Sequence, residues 1–470
     1  MLKPLLCSTA LLIVLSHTAI ADEETDDLRH QIKLLEARLD ALEKQKSSPR
    51  TASTTPSTSP AIVATSAPTA TGAAPAGEAK SATVEYGNGR GLTVTSPDKN
   101  FQLKFGGYFQ FDDHTFLGSN SPSNNNSQFF IRSARPSFEA KIYDNFTARL
   151  MLDYGNGQTT LLDAYGDYNA AEAFNARVGK FKLPIGIERW QSEQNVLFVE
   201  RGMTTNLVPY RDNGIEIYGA SPKNIVEYQL ALSNGAPDLV NSTNSTDNDQ
   251  TVTARIFTRP LKTSDIGALK GLGVGIAGSY GTHNASVTNP SLTTGYVTPS
   301  QTRFFTYGTS AFANGEQWRI NPELTYYNGP FSLIAEYVME NEGIMAGNKS
   351  ANIRNDAWEG IATYVLTGED ARFDGVIPRN NFDPKSNGWG AFELVGRVSE
   401  LKVDDAAFPT FASLSTSAKE AQETTLGGTW YMNPFIKLNL DFELTRFDDG
   451  ATGGDRPTEK AILGRTQVKF

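Results

Sequence analysis

The feature that most constrains this chain is a side-chain period of two, which recurs from about residue 82 to Phe470 with charge on one face of most repeats. Phe101, Leu103, Phe105, Phe109 and Phe111 alternate with Gln102, Lys104, Tyr108, Gln110 and Asp112. Trp318, Ile320, Leu324 and Tyr326 oppose Arg319, Asn321, Glu323 and Thr325. Ile436, Leu438, Leu440, Phe442 and Leu444 oppose Lys437, Asn439, Asp441 and Glu443. Residues two apart share one face of a strand, so each repeat is a strand with one apolar and one polar side.

Short turn signals join many of these strands: Tyr143-Asp144-Asn145, Asn328-Gly329-Pro330, Thr367-Gly368-Glu369-Asp370 and Met432-Asn433-Pro434. Others are separated by long polar stretches such as Gly118–Ser127, Pro237–Asn248 and Asn284–Gln301. Short turns alternating with long loops are the asymmetry of an outer-membrane barrel, and the length suits about 16 strands at roughly 24 residues each with connection. A soluble sandwich would pack its apolar faces together and rarely runs to so many strands. In hydrocarbon the backbone must be paired within the protein, so the sheet has to close, with apolar side chains facing lipid and charged ones facing water. The expected fold is therefore all-β, a 16-stranded antiparallel transmembrane β-barrel over residues 82–470.

The N-terminus reads as export and tethering modules. Lys3, the apolar run Ala10 to Leu15 and Ala19-Ile20-Ala21 form a cleavable signal peptide, residues 1–21. Leu28, Ile32, Leu35, Leu39 and Leu42 are spaced 4, 3, 4, 3, a heptad seam that predicts a self-associating coiled-coil helix over 22–46, placed in the periplasm. Residues 47–81 are mostly Ser, Thr, Pro, Ala and Gly and are expected to be a disordered linker. Composition removes several functions. The one Cys, Cys7, lies in the signal, which excludes disulfides and Cys-ligated metals, and four His supply a His-built metal centre poorly. The formal charge of −10 argues against a nucleic-acid binder.

The chain ends on Ile462, Gly464, Thr466, Val468 and Phe470, an alternating strand closed by an aromatic residue. An outward Phe470 puts its ring at the membrane interface and resembles the assembly signal read by the barrel assembly machinery of bacterial outer membranes.

Several ordered stretches resemble the phosphate- and polyphosphate-selective porin family of Gram-negative bacteria. They are Gly91-Leu92-Thr93-Val94-Thr95-Ser96-Pro97-Asp98 with Phe101-Gln102-Leu103-Lys104-Phe105-Gly106-Gly107, Val178-Gly179-Lys180-Phe181 with Gly186-Ile187-Glu188, and Phe198-Val199-Glu200-Arg201. Tyr364-Val365-Leu366-Thr367-Gly368-Glu369 and Leu426-Gly427-Gly428-Thr429-Trp430-Tyr431 are similar to its late strands, so the resemblance spans roughly 90–470. It implies a homotrimeric channel in outer-membrane lipid, constricted by a loop that follows the fifth strand. By the same resemblance, Arg189 and Arg354 stand where constriction lysines are usual and Gln422 occupies a third such place. Glu193 replaces a small hydroxyl residue, and Tyr108 replaces an Arg.

The connection Leu183 to Asn213 is the longest without a strand pattern and is rich in charge and aromatics, so it is expected to fold into the lumen as the constriction. There Lys182, Arg189, Glu193, Glu200, Arg201 and Arg211 would meet the solute, and the basic ones suit an anion, since guanidinium and ammonium donors replace part of its hydration shell. Lys104, Arg135, Arg149, Arg177, Arg255, Arg259 and Arg319 join them by lumen parity, with Arg354 near the mouth. Asp112, Asp153, Asp163, Asp167, Glu323 and Glu336 also point inward by parity, which predicts a transverse field and weak selectivity. Net charge does not decide the matter, because only charges within a screening length of about 8 Å act on the ion. The expected function is passive diffusion of small hydrophilic solutes, favouring anions such as phosphate, with no catalytic residue, cofactor or metal. The alternatives are a weakly selective general porin and a barrel that serves mainly as an envelope anchor. A hydrolase would have to use His114, which follows Asp112-Asp113 at a strand end, a pairing too nonspecific to build on.

Overall fold

In a computed structural model the described residues are 81–87, 91–118, 126–242, 244–245, 248–293 and 295–470. The expected signal peptide, coiled coil and nearly all of the linker lie outside them. The alternating segments form sixteen long strands. The first eight are β1 (Phe101–Phe116), β2 (Gln128–Ile142), β3 (Phe146–Asp153), β4 (Thr160–Ala171), β5 (Phe174–Phe181), β6 (Asp212–Ala220), β7 (Val226–Ser233) and β8 (Thr251–Thr258). The second eight are β9 (Leu272–Asn284), β10 (Ala311–Asn328), β11 (Phe331–Ala346), β12 (Lys349–Val365), β13 (Ala391–Lys402), β14 (Ala418–Tyr431), β15 (Ile436–Ala451) and β16 (Glu459–Lys469). Each pairs antiparallel with the next, and β16 returns to β1 in register from Ala461↔Phe116 to Lys469↔Tyr108. That last ladder removes both sheet edges and closes the barrel. Phe470 completes the seam: its N–H donates to Gly107 O and its carbonyl accepts from Gly107 N–H, each at 2.9 Å.

The burial pattern is inverted relative to a soluble protein. Leu426, Leu440 and Val178 on outward positions are 66%, 62% and 61% exposed, whereas inward Asp112, Asn321 and Glu340 are 0% exposed. Aromatic pairs ring the end that carries Phe470, among them Phe101–Tyr143, Phe105–Phe138, Phe146–Tyr168 and Phe392–Trp430, with centroids 5.0 to 5.5 Å apart. Phe111 stacks on Phe129 toward the opposite end. An apolar band between aromatic girdles is what a bilayer selects on a barrel exterior.

Connections at the Phe470 end are short in five places: 143–145, 172–173, 221–225, 329–330 and 432–435. That end is therefore the periplasmic one. One connection there departs from expectation. Thr367-Gly368-Glu369-Asp370 is not a tight turn; it opens a strap, residues 366–390, whose return is fixed by the Arg379 N–H donating to Glu369 Oε1 at 3.2 Å. Glu369 and Gly368 are turn-forming residues, but Phe373 and Val376 pull the chain inward, where each joins a buried apolar cluster. A short hairpin, Thr83–Tyr86 with Leu92–Thr95, extends the lower edge of β1 below the point where β16 stops.

The wall is uneven in height. Strands β3 and β5 to β8 are eight or nine residues long, while β10, β11, β12 and β15 run to 16–18. A bulge in β2 matters for the lumen. Gln110 and Phe111, adjacent on β1, pair with Ser133 and Ile131 of β2, leaving Arg132 unopposed, so the alternation resets there.

Candidate functional site

The connection from β5 to β6, residues 182–211, folds into the lumen instead of standing above it. Gly186, at φ 78°, turns the chain into a single helical turn, Ile187–Trp190, followed by 3₁₀ turns at Glu193–Asn195 and Met203–Leu207. What draws it in is a patch of apolar side chains at positions that should be polar. Phe257, Ile334, Ile361 and Val395 all point inward, and Ile187, Leu197 and Phe198 pack on them. Leu183, Ile185, Met203 and Leu207 pack on a second cluster that includes Ala277, Val338 and Ile353. Apolar residues at lumen parity are the footprint of a covering segment, since facing water they would gain nothing.

Polar groups of the tall wall then secure the loop backbone. Glu336 on β11 accepts from four donors: Ile187 N–H at 2.9 Å, Glu188 N–H at 3.3 Å, Thr204 Oγ1 at 2.9 Å and Asn321 Nδ2 at 3.1 Å. Asp441 accepts from Val199 N–H at 2.6 Å, and Lys437 Nζ donates to Val196 O at 2.9 Å. Arg397, with a 0% exposed side chain, donates to Glu200 O at 3.0 Å and lies 3.2 Å from Glu423, 3.5 Å from Glu188 and 3.9 Å from Glu443. Two further segments hold the loop. Val297, in the long connection 285–310, exchanges hydrogen bonds with Asn206 at 2.9 and 3.0 Å, and Phe373 O of the periplasmic strap accepts from Gln191 Nε2 at 2.7 Å.

This seating separates the charges. Glu336, Glu359, Glu423, Asp441 and Glu443 line the tall wall that the loop covers and are all buried. The open space lies on the other side, between the loop, β1 to β5 and, toward the outside, Leu239 and the connection 285–310. It is a series of cavities, two of about 270 and 260 Å³, bordered by Arg132, Arg135, Arg149, Arg177, Lys182, Arg189, Arg201 and Arg211 and by only three carboxylates, Asp163, Glu193 and Glu200. Arg135 and Glu193 border both, and Arg132 and Gln301 also border an outer cavity of about 690 Å³. At the periplasmic end a cavity of about 440 Å³ is lined by Lys437, Lys469, Gln467 and Asp374.

Most of the cations anticipated from the sequence border these cavities. Arg135 pairs with Asp153 at 2.6 Å and donates to Tyr108 Oη at 2.7 Å. Arg149 pairs with Asp163 and Glu139, and Arg177 with Asp167 at 2.7 Å, its guanidinium 4.2 Å from the Tyr165 ring centroid. Arg201 pairs with Glu193. Lys182 donates to Arg189 O and Gln191 O at 3.0 and 2.8 Å, and Arg189 donates to Thr205 O at 2.7 Å; among the described residues neither forms an ion pair with a carboxylate. Lys104 pairs with Glu139 at 3.2 Å, Arg255 is locked to Glu323 at 2.7 Å, and Arg259 reaches Glu227 at the periplasmic rim.

Arg354, expected in the lumen, does not face it. Buried Ile353, Asn355 and Ala357 are the inward residues of β12, so Arg354 points outward, with its side chain 52% exposed and 3.9 Å from Asp356. Gln422 faces outward too, bonded to Glu400 at 3.1 Å. Strict alternation from Arg135 would turn Arg132 outward, but the bulge places it inward, where it holds Glu200 with both Nε and Nη2. Arg397 and Arg465 are two further inward cations that strand parity alone identifies.

The loop's own groups carry the mark of this setting. Burial, then Arg201 and Arg211, pull Lys182 well below the usual lysine range. Burial and Arg201 lower Arg189 to about 10, so it stays charged at neutral pH. Burial alone would raise Glu193, but Arg201, Arg135 and Arg132 outweigh it and hold the carboxyl well below the usual range.

Comparison with known proteins agrees with this architecture. Porin O of Pseudomonas aeruginosa is 23% identical over 419 residues, 81% of this chain and 91% of that one. Among solved structures, the outer membrane channel DcaP of Acinetobacter baumannii superposes with a TM-score of 0.51 at 11% identity, covering 80% of this chain and 99% of its own. OmpT of Vibrio cholerae gives 0.50 at 9% identity over 79% and 98%. These two likenesses speak for the fold. The family model described as phosphate-selective porin O and P matches residues 101–470, and the chain, an outer-membrane porin, belongs to that family.

Proposed function

We propose that this porin conducts anions in preference to cations, that phosphate-like oxyanions are its favoured solutes, and that residues 182–211 form its selective constriction. One observation carries the reading: the loop lies over the acidic wall and leaves the solute a path bordered by eight cations and three carboxylates. Lys182 and Arg189 contribute most, because carbonyls and rings hold them without cancelling their charge. Donors in a water-poor constriction offset the dehydration of an oxyanion and repel cations. The bordering arginines have their guanidinium planes backed by Tyr108, Tyr165 and Tyr210, which keeps the donors aimed instead of folded away.

The porin functions in this account as a homotrimer. An eight-residue strand tilted by about 40° rises only about 20 Å, short of the roughly 25 Å apolar band of a barrel exterior. The low wall of β3 and β5 to β8 is nonetheless apolar outside, with Phe146, Leu150, Val178, Ile215 and Ile256 exposed. Contact with copies of itself covers such a wall better than lipid does. The test is chloride current through single channels with phosphate added as competitor. Phosphate is expected to inhibit the current, with at least tenfold weaker inhibition in Arg189→Ala. Equal inhibition in the variant, or none in the parent protein, would refute the assignment.

A further inference from the structure

We propose that Asp112, His114 and Glu200 form a transition-metal site at the outer mouth of the path. Asp112 and His114 are two residues apart on β1 and so share its inward face, while Glu200 arrives on the constriction loop. One ligand atom from each lies within 4.8 Å of the other two, and all three residues are buried. The second observation is independent of that clustering. His114 is 4% exposed, yet its Nε2 has no hydrogen-bond partner among the described residues and points at Asp112 Oδ2, 3.9 Å away. A buried imidazole nitrogen left unbonded beside two carboxylates is costly unless something occupies the gap.

The neighbours indicate which ion. Arg465 holds both oxygens of Asp112 at 2.8 and 2.7 Å, and Arg132 holds both of Glu200. These guanidiniums fix the carboxylates as outer-shell donors commonly do at metal sites. They also cancel the two negative charges, which removes the electrostatic gain a calcium or magnesium ion relies on. What remains is affinity for imidazole nitrogen, which favours zinc or copper. Ligand atoms of a tetrahedral zinc stand about 3.5 Å apart, so closure needs side-chain movement of only about 1 Å. The ring is seated edge-on against Phe130 at 4.9 Å, and the outer cavity, which His114 and Arg132 line, gives access from outside. An occupied site would tie the constriction loop to β1 and place two positive charges at the head of the anion path.

Copper(II) is the probe, added to the purified full-length protein and read by electron paramagnetic resonance. The expected spectrum shows hyperfine coupling to one imidazole nitrogen, is displaced by zinc and not by magnesium, and persists when His30, a histidine of the heptad segment 22–46 outside the proposed site, is replaced in His30→Gln. It is expected to vanish in His114→Gln and to weaken at least tenfold in Glu200→Gln, both checked for heat-modifiable migration of the folded barrel. A spectrum without nitrogen coupling, one that survives His114→Gln, or one displaced equally by magnesium overturns the site. In bilayers, micromolar zinc on the outer side should alter the current of the parent protein and leave that of His114→Gln unchanged; no zinc effect on the parent also overturns it.

Discussion

Replacing Glu336 by Gln should detach the constriction loop while leaving the barrel intact. Each carboxylate oxygen accepts two hydrogen bonds: Oε1 from Glu188 N–H and Thr204 Oγ1, Oε2 from Ile187 N–H and Asn321 Nδ2. An amide offers one oxygen and one NH₂ group, so in either orientation two of the four donors face another donor. Three of these donors belong to the loop and Asn321 to β10, so the amide forfeits one or two loop bonds; at about 1.5–3 kcal/mol for each hydrogen bond to a buried charged group, the loop loses roughly 3 kcal/mol of attachment. At about 1.4 kcal/mol per decade, the detached population rises by about two orders of magnitude. The strands themselves keep their ladder, because Glu336 pairs through its backbone with Glu323 and Glu359. Detachment uncovers Glu359, Glu423 and Glu443, so selectivity should move toward cations as open-channel noise rises. Single-channel recording with a reversal-potential measurement on Glu336→Gln reads both. A correctly assembled variant with parental noise and selectivity would refute the claim that this carboxylate holds the loop over the acidic wall.

Two other outcomes follow from the same structure. Leu440→Arg, at an outward position 62% exposed in the periplasmic half of β15, should destabilise the barrel in lipid by about 2 kcal/mol, read by urea titration in vesicles; an unchanged midpoint would contradict the outward apolar face. Because burial, Arg201 and Arg211 lower the Lys182 ammonium well below its usual range, anion selectivity should be complete on the acid side. It should then decline with rising pH earlier than an ordinary lysine would dictate; Lys182→Met should lack that alkaline limb, and a parental profile in the variant would contradict the role.

Much of the fold was legible because a bilayer enforces a simple rule, apolar out and polar in, on every strand. The strand pattern and the seam at Phe470 follow from it, while the inward loop after Phe181 stands out by its length, charge and aromatics. The site was less legible, for three physical reasons. Parity fails at a bulge, and one extra residue in β2 brought Arg132 inward unseen. Near the ends of the tall strands the outer face leaves hydrocarbon and becomes polar, so Arg354 on β12 looked like a lumen residue while facing outward. Finally, alternation tells that Glu336 and Arg135 both face the interior, but not that a loop will lie on one and spare the other. The clue to that was present in Ile334, Ile361 and Val395, apolar residues on the wet face whose only use is to seat a covering segment.

The reversal potential of the parent protein, in a planar bilayer with a tenfold potassium chloride gradient, bears most directly on charge separation by the loop. The account predicts a potential displaced toward the chloride equilibrium value. A displacement toward the potassium value would contradict it, since the covered acidic wall would then be acting on the permeant ion.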